Sequence, residues 1–150
     1  ANLSAVTLQR LKSKGLLDKV KGANLIYGSY DARLTPSTLR QQGSDEIFLL
    51  SYEMIRKFRD SYFQGTLDLS LPDISPLQGD LSGMPPALFT VGTRDLLLDD
   101  SLFMYGRWLS YGANAEIIIV PGADHAFNAF PSDATTQVEN KIYDFIKSVI

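Results

Sequence analysis

Three continuous apolar runs, separated by segments with helical periodicity, constrain the fold of this 150-residue chain more than any other feature. The runs are ANLIYGS at 23–29, ALFTVG at 87–92 and AEIIIV at 115–120. Such runs are typical of parallel strands that are buried on both faces. The element order is helix-β-helix-β-helix-β-helix, which predicts an α/β fold of parallel strands with flanking helices and right-handed crossovers.

Four segments around these runs carry apolar residues at the spacing of a helix, and helices are predicted at 2–14, 44–63, 99–112 and 132–150. The residues predicted to face inward are Leu3, Val6 and Leu11 with Ala5 and Leu8 in the first helix, Ile47, Leu50, Met54, Ile55 and Phe58 in the second, Leu102, Phe103 and Leu109 in the third, and Val138, Ile142, Phe145, Ile146 and Val149 in the fourth.

Acidic and hydroxyl side chains precede two of these helices. Ser44 or Asp45 is interpreted as the N-cap of the second helix, and Asp99 or Asp100 as that of the third. The segment 63–86 is rich in Pro and Gly and is too long for a simple connection, so a functional or lid-associated role is predicted for it. The length predicts one unit over 1–150, with 44–86 close to a cap or lid.

Composition excludes several classes of function. The chain has no cysteine, so it can form neither a disulfide nor a thiol nucleophile, and with a single histidine a structural zinc site is disfavoured. Its net charge of -3 disfavours a general role in nucleic-acid binding. No apolar run approaches the roughly 20 residues that a membrane span requires.

Two polar groups follow neighbouring strands of the predicted sheet. Asp95 comes three residues after Gly92, and His125, the only histidine, follows the run that ends at Val120. Ligands of open α/β sheets bind beyond the carboxyl ends of the strands, so the two loops are expected to meet there. A carboxylate in this position holds the imidazole tautomer of a catalytic base. Asp124 is a poorer partner, because side chains adjacent on one loop rarely face each other.

The two loops also carry a resemblance to a known family. Gly92-Thr93-Arg94-Asp95 and the stretch PGADHAF at 121–127 resemble motifs of hormone-sensitive lipase-like esterases, which have an α/β-hydrolase fold. The resemblance implies that Asp95 is the acid and His125 the base of a catalytic triad, and that Leu97 and Phe127 are substrate-binding walls. It implies a small acyl ester as the substrate, and no cofactor or metal.

The nucleophile that this family requires does not occur in the 150 residues. The family carries Gly-x-Ser-x-Gly before its acid and base, and no such motif is present here. ANLSAVTLQRLK at 1–12 resembles the helix that follows the nucleophile. We therefore expect the C-terminal half of a hydrolase, partnered by an N-terminal half that supplies serine and oxyanion loop, either after a nick or as a separate chain. The run at 23–29 would then need a neighbouring strand.

Other interpretations stay open. A relative without catalysis would use the same pocket as a ligand receptor, and an isolated fragment would be inactive for lack of an activated nucleophile. Ile47, Phe48 and Tyr52 are candidates for substrate fit, although ordinary packing is the favoured interpretation of that stripe.

Overall fold

The computed structural model describes residues 1–44, 49–64 and 68–150. Helices and strands alternate in the order α1 (Asn2–Ser13), β1 (Ala23–Ile26), α2 (Pro36–Leu39), α3 (Tyr52–Tyr62), β2 (Ala87–Gly92), α4 (Leu98–Ser110), β3 (Ala115–Val120) and α5 (Asp133–Val149), with short 3-10 turns at Leu17–Lys19, Pro76–Gln78 and Phe127–Ala129.

The three strands form one parallel sheet in the order β1-β2-β3, which confirms the predicted arrangement. The register pairs Phe89 of the central strand with Leu25 on one side and Ile117 on the other. Every residue of β2 is buried, but β1 and β3 are only partly so. The prediction that all three runs are buried on both faces therefore holds for β2 but is wrong for β1 and β3, which keep partly and fully exposed residues.

The main core lies between β2 and α4. The rings of Tyr30, Tyr105 and Trp108 pack edge-on against Phe89, and the indole N–H of Trp108 donates a 2.9 Å hydrogen bond to the carbonyl of Pro85. Trp108 is completely buried, so this bond satisfies a polar group that would otherwise be costly to bury. The position of α4 therefore depends on one large side chain with a fixed partner.

The buried face of α4 differs from the predicted one. Its buried residues are Asp100, Ser101, Met104 and Trp108, whereas Phe103 and Leu109 are exposed and Leu102 is only half-buried. The prediction favoured large aliphatic and aromatic residues at helical spacing. It missed that Asp100 and Ser101 lie inward, where the Asp100 carboxylate accepts hydrogen bonds from the segment after β1.

Helix α1 forms where it was predicted, with Ala5, Val6 and Leu8 buried. Leu3 is exposed, so that part of the predicted stripe is wrong. The helix ends in a Schellman motif, in which the N–H of Leu16 bonds to the carbonyl of Leu11 and Gly15 adopts a positive φ of 67°.

Helix α3 begins later than predicted. Its N-cap is Ser51, whose hydroxyl accepts a 3.2 Å hydrogen bond from the N–H of Met54, and not Ser44. Asp45, Ile47 and Phe48 lie outside the described residues. Tyr52 and Ile55 are buried against Leu96 and Leu97, while Met54 and Phe58 are exposed. Tyr52 therefore packs in a small core, which agrees with the interpretation of this residue as ordinary packing.

The C-terminal helix α5 begins at a Ser132 N-cap, which accepts a 3.0 Å bond from the N–H of Thr135. Val138 and Phe145 are buried as predicted, whereas Ile146 is exposed.

The second half of the predicted long loop is well packed. Leu77, Leu81 and Met84 belong to the main core together with α1 and α4. The role of 44–86 near a cap or lid stays a prediction. The part from Ile74 onward contributes buried side chains to the core. Within the three described ranges, no helix has the length and apolar character that crossing a bilayer would require.

Candidate active site

The loops after β2 and β3 are joined directly at the carboxyl ends of the strands. The N–H groups of Thr93 and Arg94 donate 3.0 Å bonds to the carbonyls of Val120 and Ala123. A Cβ at Gly92 would lie 2.0 Å from the carbonyl oxygen of Ala123, so only glycine permits this approach. The glycine of the Gly-x-x-Asp turn therefore brings the two loops together.

This approach places Asp95 against His125. The Oδ2 atom of Asp95 lies 2.9 Å from Nδ1 of the imidazole, and Oδ1 accepts a 2.9 Å bond from the N–H of Leu97. The carboxylate is fully buried, while 22% of the histidine side chain is exposed. A buried acceptor at Nδ1 holds the imidazole in the tautomer with a proton on Nδ1, which leaves Nε2 free to accept a proton.

A third residue, Tyr27, contacts the imidazole from the end of β1. Its ring centroid lies 4.4 Å from that of His125, and its hydroxyl donates a 2.8 Å bond to Oδ1 of Asn128. Neither Tyr27 nor Asn128 was predicted from the sequence as a site residue. The signal for Tyr27 was its position, because it directly follows β1 at the same edge of the sheet as Asp95 and His125.

His125 lies between two cavities. The larger one, of about 620 Å³, also contains Leu97 and is otherwise lined mainly by apolar side chains of α3 and the loop after β1, including Leu34, Leu50, Ile55, Phe58, Tyr62 and Phe63. The smaller one, of about 400 Å³, contains Phe127 with Leu49 and Phe130. The two predicted wall residues, Leu97 and Phe127, therefore lie on opposite cavities that share the imidazole.

Asp124 does not compete for the histidine. Its carboxylate lies 3.1 Å from Nε of Arg94, on the exposed side of the joined loops. The structure thus separates the two acidic residues near His125 into one that contacts the ring and one that contacts a surface arginine.

Asp99 and Asp100 do not cap their own helix, so that interpretation is wrong. The N-cap position of α4 is Leu97, which makes no side-chain cap bond. Instead, Asp99 accepts a 2.7 Å bond from the N–H of Ser37 in the first turn of α2. The short helix α2 was not predicted, although Thr35 followed by Pro36 is a usual helix start.

The buried carboxylate of Asp100 holds the segment that follows β1. It accepts bonds from the N–H groups of Tyr30 (2.5 Å) and Asp31 (3.0 Å) and from the hydroxyl of Thr35 (2.5 Å). This segment contributes Ala32 and Leu34 to the larger cavity. The shape of that cavity therefore depends on a carboxylate that never touches it.

Replacing Asp100 by alanine is expected to lower the free energy of unfolding by about 3 kcal/mol or more, because two backbone N–H groups and one hydroxyl lose their buried acceptor. Asparagine is expected to cost less, since its oxygen can still accept from Tyr30 and Asp31 while its amide donates to Thr35. Urea unfolding of both variants beside the wild type checks this. Equal losses for alanine and asparagine would contradict the assignment.

The pH dependence of the same comparison provides a second measurement. Burial raises the pKa of the Asp100 carboxyl to about 6, above the roughly 3.9 of an unfolded aspartate. The folded state therefore keeps the Asp100 proton to a higher pH than the unfolded state does. The contribution of this group to the free energy of unfolding is complete below about pH 4 and is lost as the pH rises through about 6. We expect Asp100→Asn to cost less stability at about pH 7.5 than at about pH 4.5, because asparagine does not ionise.

The partner for Nε2 of His125 is not found within the described ranges. No serine hydroxyl in residues 1–44, 49–64 or 68–150 makes a hydrogen bond to the ring, although Ser29 lies on the larger cavity. The same residues contain no group of three or more side chains suited to a metal ion. What they assemble is an imidazole held by a buried carboxylate, where two cavities share the ring.

Comparisons with known proteins identify the family of this fold. Residues 1–129 match the family model described as the alpha/beta hydrolase fold. An esterase of Acinetobacter venetianus is 36% identical over 101 residues, which cover 67% of this chain and 33% of that protein. An acetyl-hydrolase of Streptomyces hygroscopicus is 42% identical over 53 residues, 35% of this chain and 17% of that protein.

Solved structures give the same result over the whole chain. A hyperthermophilic esterase from the archaeon Pyrobaculum calidifontis superimposes with a TM-score of 0.89 at 28% identity, covering 99% of this chain and 50% of that one. A hormone-sensitive lipase from a metagenome library gives 0.90 at 27% identity, covering 99% and 51%. The chain thus spans about half the length of these structures and a third of the curated esterase. The predicted fold and family are confirmed: this chain belongs to the α/β-hydrolase fold family, and its relatives include hormone-sensitive lipase-like esterases.

Proposed function

We propose that the protein hydrolyses carboxylic esters, with Asp95 as the acid and His125 as the base of a triad whose serine lies in polypeptide outside these 150 residues. The observation that carries the proposal is the 2.9 Å contact between the buried Asp95 carboxylate and Nδ1 of His125, between two cavities of an esterase-related fold. The chemistry is acyl transfer through a covalent serine ester.

Each proton has a defined course in this reaction. Nε2 of His125 takes the proton of the serine hydroxyl as its oxygen attacks the ester carbonyl, and the imidazolium then gives that proton to the departing alkoxide. Water then attacks the acyl-serine while Nε2 takes one of its protons. The imidazolium returns that proton to the serine oxygen, and the carboxylic acid leaves. Asp95 stays ionised throughout and stabilises the imidazolium, with its second oxygen held by the N–H of Leu97.

Two observations support a nucleophile that arrives just ahead of α1. The side chains of Asn2 and Leu3, in the first turn of this helix, line the cavity that His125 shares. The N-terminus of a helix also presents free backbone N–H groups, which suit a developing oxyanion. We therefore propose that the serine and its oxyanion donors enter the site from this direction.

The sheet offers a docking place for the polypeptide that carries them. Among the residues described, β1 has a partner on one edge only. A groove of about 470 Å³ runs beside it, with Leu8 and Leu11 of α1 on one wall and Ala23 and Leu25 of β1 on the other. An unpaired edge exposes backbone donors and acceptors that favour strand addition. We propose that the N-terminal half of the hydrolase pairs here, and call the assembly of both halves the complete enzyme.

The substrate we propose is a small ester with apolar groups on both sides of its carbonyl. Leu97 faces the larger cavity and Phe127 the smaller one, so acyl and alcohol groups would lie on opposite sides of His125. Apolar walls with few convergent polar groups are typical of sites for such ligands.

A serine-directed phosphonate tests the proposal on the complete enzyme. We expect it to stop the hydrolysis of a short-chain aryl ester and to label one serine that peptide mass mapping places outside this sequence. Ser29→Ala is the matched control, because Ser29 lies on the same cavity, and it should still be labelled and active. Label on Ser29 itself, or ligand binding without any label, would contradict the proposed mechanism; the latter would indicate a receptor.

A further inference from the structure

We propose that Tyr27 is a positioning residue for His125, acting through its ring on the imidazole and through its hydroxyl on the loop that carries it. This inference rests on the proposed function, because it concerns how the base of that reaction is held. It assigns a role to the end of β1, the one strand of the three with no residue at its end in the proposed proton transfers.

The hydrogen bond to Asp95 does not restrain every rotation of the imidazole ring. A single 2.9 Å hydrogen bond at Nδ1 fixes that atom and the tautomer, but the ring can still swing about the bond and move Nε2. The ring of Tyr27 lies 4.4 Å away with an angle of 58° between the two planes. An aromatic ring at this distance restricts the swing by contact, so Asp95 and Tyr27 together determine where Nε2 lies.

The hydroxyl of Tyr27 restrains the same histidine from behind. It donates a 2.8 Å bond to Asn128, which belongs to the 3-10 turn starting two residues after His125. Burial raises the pKa of the Tyr27 phenol, and the nearby Asp95 carboxylate raises it further, while the bond to Asn128 lowers it. The phenol therefore stays protonated and acts as a donor to Asn128.

The backbone on both sides of this contact is in an unusual conformation. Tyr27 has a φ of 34° and Ala126, directly after His125, has a φ of 59°. Positive φ is rare for residues other than glycine and costs free energy, so the surrounding structure must hold it in place. The N–H of Tyr27 is held by a 2.7 Å bond to the carbonyl of Thr90 in β2. The carbonyl of Ala126 accepts a 2.9 Å bond from the N–H of Ala129. Two residues with positive φ, each with a backbone hydrogen bond, therefore flank the contact between Tyr27 and His125 in the chain.

The contacts described for Tyr27 are with His125 and with the loop that carries it. In the part of the chain that the structure describes, the walls of both cavities that contain His125 do not include Tyr27. A residue that contacts substrate would change KM, whereas one that holds the base should change kcat alone. This difference separates the two roles experimentally.

The test uses the complete enzyme, with kcat expressed per serine titrated by the phosphonate so that misfolded protein does not count. We expect Tyr27→Leu to lower kcat by about 10- to 100-fold with KM unchanged, because small displacements of a catalytic group are costly. Tyr27→Phe keeps the ring and should retain most of the activity. Tyr143→Leu is the control, since Tyr143 is an exposed tyrosine of α5.

A double-mutant cycle examines the hydroxyl separately. Tyr27→Phe and Asn128→Ala remove the same hydrogen bond, so we expect the double variant to resemble either single one. If the losses in kcat of the two single variants multiply in the double variant, the hydrogen bond between Tyr27 and Asn128 does not help to position His125. A Tyr27→Leu variant with wild-type kcat, or one that changes only KM, would overturn the positioning role. His125→Ala distinguishes the two levels: if it stays active, the proposed function fails, whereas if it is inactive and Tyr27→Leu is normal, only this inference fails.

Discussion

Replacing His125 by alanine in the complete enzyme is expected to reduce kcat for an aryl ester by about 10⁶-fold, the loss typical of removing the base from a serine triad. Without Nε2, the serine proton has no acceptor during attack and the leaving alkoxide has no donor. What remains should be the small rate enhancement from the oxyanion donors and binding. The measurement is single-substrate kinetics per milligram of folded enzyme.

The fold should survive this replacement. The ring of His125 is partly exposed, and within the described residues it makes a hydrogen bond to Asp95 and an aromatic contact with Tyr27. We expect thermal unfolding close to that of the wild type, and partial recovery of turnover when imidazole is added to occupy the space left by the ring. Turnover near the wild-type level without imidazole would remove His125 from the mechanism.

Replacing Asp95 by asparagine is expected to reduce kcat by about 10⁴-fold while leaving KM nearly unchanged. The N–H of Leu97 requires an acceptor, so the amide oxygen of asparagine should stay with it. The amide NH₂ would then face Nδ1 of His125, which must become an acceptor. The proton moves to Nε2, and the imidazole is in the wrong tautomer to accept one from serine.

Asp124→Asn is the matched control for that result. Asp124 is the neighbour of His125 in sequence, but its carboxylate lies beside Arg94 on an exposed surface. Exposed ion pairs of this kind contribute about 0.2–1 kcal/mol, and kcat should remain close to wild type. A larger loss for Asp124→Asn than for Asp95→Asn would mean that the acid has been assigned to the wrong residue.

The site could be predicted to the extent that it follows from strand order. Asp95 and His125 come after consecutive parallel strands, and such strands end at the same edge of a sheet, so their contact follows from the α/β pattern. Tyr27 obeys the same rule at the end of β1. It was overlooked because a tyrosine after a strand has no chemistry of its own until its neighbours are known.

The predictions of buried residues were wrong where burial depends on which face of a helix packs against the sheet. Phe103 and Leu109 of α4 fit a helical stripe, yet they are exposed, whereas Asp100 is buried. A pattern records spacing but does not say which side of a helix will meet the sheet. An acidic residue near a helix start is read as a cap, although here it bonds to a segment some 70 positions away in sequence.

Local sequence is enough to predict the alternation of strands and helices, the helix ends at Gly15 and Gly112, and the two loops that carry Asp95 and His125. These features depend on the local periodicity of apolar residues, on glycine at positive φ and on the order of strands and helices along the chain. All three can be inferred without knowing which distant residues come into contact. Three further features are visible only in the packed fold: Gly92 admits the Ala123 carbonyl, Asp100 holds the loop after β1, and Tyr27 lies against the imidazole. Each of these contacts joins residues far apart in the chain, and a contact of that kind exists only after the core has packed.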